Sequence, residues 1–251
     1  HAWRCSGVHK LHSILNSDTP RPRNVMNAPA APGPAGRRER ASAPLRIGYP
    51  GSTLTVLPAP DLRKRQEGGD LRLDARVVQW LDTHVQPGDV VYDIGAGQGE
   101  YALVAAAHRD ATAVAIEPGY AAYSRLCDNV VRNNCRSRVI PLPLVLGDRT
   151  ELAALEYLAD RAGEADHRLH PGPWRKAPYE AQASRYAQPV CVDRLDDVVR
   201  RHALPAPAHV RLQVQRSVDA VLRGAVEVLR QPALRSALLL LATLERRTVL
   251  E

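Results

Sequence analysis

Residues 90–101, VVYDIGAGQGEY, constrain this chain more than any other stretch. An apolar, β-branched run suits a buried strand, and glycines at alternate positions, Gly95, Gly97 and Gly99, then break it. Residues 101–108 (YALVAAAH) follow with helical composition. Strand, glycine turn and helix in that order open a nucleotide-binding α/β unit. Asp93 closes the strand, where its carboxylate can face a ligand in the crevice above the strand ends. Residues 112–116 (TAVAI) read as a second strand, ended by Glu117 and Pro118. Glu117 stands 22 positions after Gly95, about where a ribose-binding acid belongs.

The glycine spacing separates two cofactor classes. A dinucleotide site wants G-x-G-x-x-G, whose third glycine lets helix and strand pack closely beside a pyrophosphate. Here the spacing is G-x-G-x-G, and Glu100 occupies the place of that third glycine. Asp93 and Glu100 would also crowd a pyrophosphate with like charge. S-adenosylmethionine carries no phosphate and presents an ammonium, a sulfonium, a carboxylate and a ribose. The acid-rich turn therefore favours that cofactor over NAD.

A chain of 251 residues is long enough for one α/β domain with appendages. Phe is absent, so Leu, Val, Ala and Ile must fill the core. The four cysteines form no C-x-x-C pair, and Cys127 falls on the apolar face of a predicted helix, as a buried thiol in a reducing compartment would. No secretory signal is evident, and the longest apolar run, 237–242, is too short to span a bilayer. The expectation is a soluble, cytoplasmic protein without membrane association. The net charge of +7 is unevenly placed: residues 1–45 hold seven basic residues against Asp18 and Glu39. A nucleic-acid enzyme needs a basic face on the folded domain, so a nucleic-acid partner is disfavoured. Residues 1–44 read as a disordered basic tail rich in Pro and Ala, and 45–251 as the folded domain.

Within that domain, residues 45–57 read as a hairpin about Pro50 and Gly51, 61–70 as a polar loop, and 71–84 as an amphipathic helix. A helix is expected at about 119–132. A third strand is expected over 138–146, ending at Gly147 and Asp148. Asp148 is open to two readings, a turn aspartate or a partner for an adenine amine. Residues 151–189 suit a substrate lid, with a candidate strand over 155–158 and a polar stretch over 161–186. His167 and His170 have the spacing of a helical ligand pair, but no cysteine or carboxylate stands at metal-site spacing, so no metal is expected. Further strands are expected at 209–214 and 236–243, with one helix from Ser217 through Leu229 between them. Alternating strands and helices imply a mostly parallel sheet covered on both faces.

This order of segments resembles the FkbM-type S-adenosylmethionine-dependent methyltransferases over residues 75–244. The resemblance rests on PGDVVYDIGAGQGEYAL, AIEPGYAAYSRLCDNVVRNN, VIPLPLVLGD, DRLDDVV and VRLQVQRSVDAVLRGAVEVL. It implies a Rossmann-like class I methyltransferase fold, an α/β three-layer sandwich. By position, Asp93, Gly95, Gly97 and Gly99 would wrap the methionine part of the cofactor, with Ala96, Tyr101 and Pro118 beside them. Glu117 would hold the ribose, and Asp148 would lie near the adenine. The implied acceptor is a hydroxylated small molecule, a natural product or a sugar. Two departures stand out. The family's acidic motif after the fourth strand is replaced by Leu212-Gln213-Val214-Gln215-Arg216, and glutamine positions a hydroxyl but cannot take its proton. The antiparallel strands that usually follow the fifth strand are not seen, so the sheet reads as truncated. No catalytic residue is assigned; His167 is the one candidate base. A degenerate cofactor-binding or scaffold protein, and more remotely an RNA methyltransferase, remain as alternatives.

Overall fold

The structure is a computed structural model and describes residues 43–59, 63–157, 167–170, 186–214 and 217–240. Residue contacts divide the chain into His1–Arg40 and Ala41–Glu251, and the described residues all fall in the second unit. The expected basic tail therefore lies almost wholly outside them.

A small sheet comes first, with strands β1 (Leu45–Gly48), β2 (Thr55–Val56), β3 (Gln66–Glu67) and β4 (Asp70–Arg72) in the order β2-β1-β4-β3. The β1–β2 hairpin matches expectation. The polar loop expected over 61–70 does not: β3 and β4 form a second hairpin. Gly68 and Gly69 make its two-residue turn with φ of +57° and +93°, the conformation such tight hairpins need. Helix α1 (Ala75–His84) consequently starts later than expected. Asp74 caps it by accepting a bond from the Arg76 amide at 2.9 Å.

The α/β alternation then runs as read, through β5 (Val90–Ile94), α2 (Glu100–His108), β6 (Thr112–Ile116), α3 (Tyr120–Arg132) and β7 (Val139–Leu142). The expected third strand ends there. Proline removes a ladder donor, so Pro141 is tolerated in β7 only because that strand is at the sheet edge, and Pro143 ends the pairing. The rest of the run, β8 (Val145–Leu146), joins a different sheet with β9 (Glu151–Tyr157), β10 (His167–His170) and β11 (Tyr186–Asp193), in the order β10-β9-β11-β8. The expected lid segment thus contains much of a sheet; 158–166 and 171–185 lie outside the described residues. His167–His170 is a strand, so the helical spacing that suggested a ligand pair does not exist.

Helix α4 (Leu195–His202), β12 (His209–Leu212), α5 (Val218–Arg223), α6 (Val226–Leu229) and β13 (Ser236–Leu239) complete the fold. The central sheet is parallel throughout, in the order β13-β12-β5-β6-β7. Numbered along the chain this is 5-4-1-2-3, the doubly wound order. Side chains alternate across it. Val91, Ala113 and Ala115 pack with α1, α2 and α3, while Tyr92, Ile94, Val114 and Val210 pack with α4, α5 and α6. The expected Rossmann-like three-layer α/β architecture is the one observed. The truncation expected after the fifth strand falls beyond residue 240, outside the described residues. Among the described residues no helix is long and apolar enough to cross a membrane.

The single helix expected after Ser217 is two. Ser217 holds the N-cap position without a side-chain capping bond, and the break comes at Gly224. There the backbone passes so close to Gly147 that a Cβ would lie 1.9 Å from the Gly147 carbonyl oxygen. The Asp196 amide donates to the Gly224 carbonyl at 3.0 Å, and Asp196 Oδ1 accepts from the Val228 amide at 3.0 Å. The DRLDDVV and VLRGA stretches are therefore a structural interlock. Gly224→Ala should destabilise the domain by about 2 kcal/mol or more, because the clash is with backbone. Urea unfolding of variant and parent, compared at constant slope, measures this.

Candidate functional site

In a doubly wound sheet the crevice opens at the C-terminal ends of the strands, where the strand order reverses. Here that point lies between β5 and β12. The turn after β5 passes against the segment after β12 so closely that a Cβ on Gly95 would lie 1.9 Å from the Gln213 carbonyl oxygen, and Gly95 takes φ of +79°. Gly99 serves packing instead: its Cβ would come within 2.4 Å of Leu126 Cδ1 on α3.

Four amides of this turn are committed within the protein. Gly95 and Ala96 N–H both donate to the Ile116 carbonyl, at 2.9 and 3.0 Å, and Gly99 N–H donates to the Ala96 carbonyl at 2.9 Å. Gly97 N–H donates to Glu117 Oε2 at 2.8 Å, and Gly119 N–H to Glu117 Oε1 at 2.8 Å. Glu117, at the end of β6, thus ties the glycine turn to the start of α3. Its carboxyl is 5% exposed, and burial pushes it up to about 7 despite those two amide donors.

These segments enclose a cavity of about 230 Å³. One end is apolar, with Leu144, Val145, Leu146 and Val221 joined by Leu155, Tyr157 and Leu169 of the second sheet. The other end is polar, with Arg65, Glu100, Arg211 and Gln213. Arg211 lies directly across from Asp93 in the β12–β5 register and donates from Nη1 to Asp93 Oδ1 at 2.5 Å. It also donates from Nη2 to Gln213 Oε1, and its guanidinium sits 4.4 Å from the centre of the Tyr101 ring. Arg65 donates to Glu100 Oε1 at 3.0 Å and to the Tyr101 hydroxyl at 3.1 Å. Burial pushes the Glu100 carboxyl up, and Arg65 opposes that shift. Two atoms here remain buried without a hydrogen-bond partner among the described residues, Arg211 Nε and Asp93 Oδ2.

Of the sequence-derived positions, Gly95, Ala96, Gly97, Glu117 and Pro118 line the cavity. Asp93, Gly99 and Tyr101 do not; Asp93 and Tyr101 stand behind Arg211 as its partners. Asp148 is also outside the wall and accepts two bonds from Arg223, at 3.1 and 3.0 Å. Arg65 and Arg211 were not anticipated. The Asp93–Arg211 pair spans 118 positions, a separation no local pattern reveals.

No family model matches the sequence, and no curated protein is similar to it. Several solved structures are. A precorrin-6Y C5,15-methyltransferase from Geobacter metallireducens is 17% identical over 81% of this chain and 76% of that one, with a TM-score of 0.43. A SAM-dependent methyltransferase from Thiobacillus denitrificans in complex with S-adenosyl-L-homocysteine is 14% identical over 28% of this chain, with a TM-score of 0.26. An RNA methyltransferase from Salinibacter ruber, also in complex with S-adenosyl-L-homocysteine, is 25% identical over 28% of this chain, with a TM-score of 0.27. The chain spans 29% and 46% of the lengths of the last two proteins.

The raised Glu117 carboxyl has a consequence for stability. The folded chain holds a proton there that the unfolded chain, with an ordinary carboxyl near 4.5, has released. The contribution is therefore complete below pH 4.5 and is lost as pH rises through about 7, a decline on the order of 3 kcal/mol. Glu117→Gln removes this titration. The stability difference between parent and variant should shift against the parent from pH 5 to pH 8 in urea melts. A pH-independent difference would show that Glu117 titrates normally.

Proposed function

We propose that this chain binds S-adenosylmethionine and transfers its methyl group to a small-molecule acceptor. The observation that carries the reading is the state of the glycine-turn amides. A pyrophosphate seated on a glycine turn draws on its free N–H groups, yet those of Gly95, Ala96, Gly97 and Gly99 all donate within the protein. A ligand without phosphate at that position is favoured.

The remaining walls fit such a ligand in sequence. The apolar end, from Leu144 to Leu146 with Leu155 and Leu169, suits a purine. Glu117 stands between the two ends, with lone pairs beyond those taken by the Gly97 and Gly119 amides, and can accept from a ribose diol. At the polar end, Arg211 lines the cavity, and its Nε has no hydrogen-bond partner among the described residues, so it can meet the carboxylate of an α-amino acid. When bound, the cofactor supplies an activated methyl group on a sulfonium. The protein's own task is to hold the acceptor at near-attack distance and keep water out.

The finer reading, O-methylation of a hydroxyl as in the FkbM-type enzymes, is supported by the resemblance over residues 75–244. A hydroxyl acceptor gains about 10²–10⁴-fold from a general base. Gln213 is not that base, since its oxygen already accepts from Arg211. The non-catalytic alternative draws on the same observation.

Calorimetric titration of the full chain with S-adenosylmethionine tests the reading. Binding should be observed for S-adenosylmethionine and not for NAD, and Glu117→Ala, with its circular dichroism unchanged, should lose at least about tenfold in affinity. Because the ionised carboxyl accepts the ribose donors, parent affinity should rise by about fivefold to tenfold from pH 6 to pH 8. A folded chain that binds NAD, or neither ligand, would overturn the proposal.

A further inference from the structure

A second chamber, of about 560 Å³, shares Arg65 and Gln213 with the first cavity and is otherwise lined by Arg72, Leu73, Asp74, Ala75 and Tyr101. Its lining offers donors from Arg65, Arg72, Tyr101 and Gln213. Arg211 donates to Gln213 Oε1, which leaves the amide NH₂ of Gln213 directed away from that bond. The Tyr101 hydroxyl accepts twice, from Arg65 Nη2 at 3.1 Å and from the Asp74 amide at 3.0 Å. Its own proton has no acceptor among the described residues. Asp74 is the one acid lining the chamber among the described residues, and both its oxygens are engaged by Arg76, Oδ2 at 2.6 Å and Oδ1 at 3.1 Å.

Arg65 and Arg72 hold the most informative position. The β3–β4 register pairs Gln66 with Leu71 and Glu67 with Asp70, so the next pair outward is Arg65 with Arg72. The Arg72 amide donates to the Arg65 carbonyl at 2.9 Å, which closes that pair. Side chains of a cross-strand pair share a face, and like charges directly opposite are destabilising. Arg72 has little relief from within the protein: Glu67 is 3.8 Å away, and both side chains are about 70% exposed. Arg65 is already paired with Glu100 at 3.0 Å and donates from Nη2 to the Arg72 carbonyl at 3.0 Å, so the charge with least compensation is that of Arg72, and an anion between the two guanidinium groups would meet it.

We propose that this chamber seats the methyl acceptor and takes one that carries an oxyanion, a carboxylate or a phosphate, between Arg65 and Arg72. Its role as the acceptor site rests on the methyl-transfer reading above; the preference for anions does not. The oxyanion meets both guanidinium groups, with the Tyr101 hydroxyl and the Gln213 amide as further donors. Charge-assisted bonds of this kind select an anion over a neutral group of the same shape.

The test is a titration of the full chain with benzoate, phenyl phosphate and benzyl alcohol, each with and without saturating S-adenosylhomocysteine, for the parent and for Arg72→Ala. Arg72 is exposed and lies outside the cofactor cavity, so the variant should fold and bind S-adenosylhomocysteine like the parent. Benzoate or phenyl phosphate should saturate where benzyl alcohol does not, and Arg72→Ala should weaken the anion at least about fivefold. Whichever anion binds tighter identifies the group. Equal binding of the alcohol, no binding of either anion, or anion binding indifferent to Arg72→Ala would overturn the proposal. Arg72-dependent anion binding by a chain that does not bind S-adenosylhomocysteine would uphold the anion site while removing the cofactor reading.

Discussion

The site depends on one buried cation. Arg211 is 3% exposed and sits in the middle of a parallel sheet, where an isolated charge would be prohibitively costly. It is held because its neighbours are complementary: the Asp93 carboxylate across the ladder, the Gln213 side-chain oxygen, and the face of the Tyr101 ring. Asp93 lies in β5, Gln213 follows β12, and Tyr101 comes from helix α2. One side chain therefore fixes the spacing of the elements that bound the polar end of the cavity. Arg65 continues the chain of contacts, from Tyr101 to Glu100 and back to its own hairpin. Paired in this way, the buried network rigidifies the site, with Arg211 Nε and Asp93 Oδ2 left without a partner among the described residues; deprived of one partner, it leaves an uncompensated charge.

That network also corrects the electrostatic argument made from the sequence. Asp93 and Glu100 looked like two free acids beside the glycine turn, enough to repel a pyrophosphate. In the fold each is paired with an arginine, so like-charge repulsion is not what distinguishes the site. The preference for a ligand without phosphate rests instead on hydrogen bonding, because Ile116 and Glu117 have already taken the turn amides. The conclusion is unchanged and its physical basis is different.

What could be read from the chain was whatever local chemistry dictates. The apolar runs of β5 and β6, the helical periodicity of α1 and α3, and the acid at the end of β6 all lie within short windows. So do Gly95 and Gly99, whose close approaches to Gln213 and Leu126 give each a separate reason. What escaped depended on distant partners or on a choice between neighbours. Arg211 looks like a surface residue in HVRL, because nothing nearby shows that this strand is covered on both faces. The polar residues Gln66 and Glu67 carry no alternation that marks a strand, and only the Gly68-Gly69 turn hinted at a hairpin. The run RVIPLPLVL is apolar throughout, so it did not disclose that its two halves serve two sheets. The helix after Ser217 has unbroken periodicity, yet the approach of Gly224 to Gly147 divides it.

Glutamine at 213 fits the electrostatics around Arg211. A carboxylate there would compete with Asp93 for Arg211 and place two anions about one cation in a largely dry site, which costs more than it returns. Glutamine gives Arg211 a neutral acceptor, leaves the ion pair with Asp93 intact, and turns its remaining polar group into a donor. Glutamine at this position supplies hydrogen bonds rather than receiving a proton, at the seam shared by the two chambers. With Arg65, Arg72 and the Tyr101 hydroxyl on the same side, the local chemistry is consistently that of donors. Such a surface organises groups that are already electron-rich, and a hydroxyl that must first lose its proton would need its base from elsewhere in the chain.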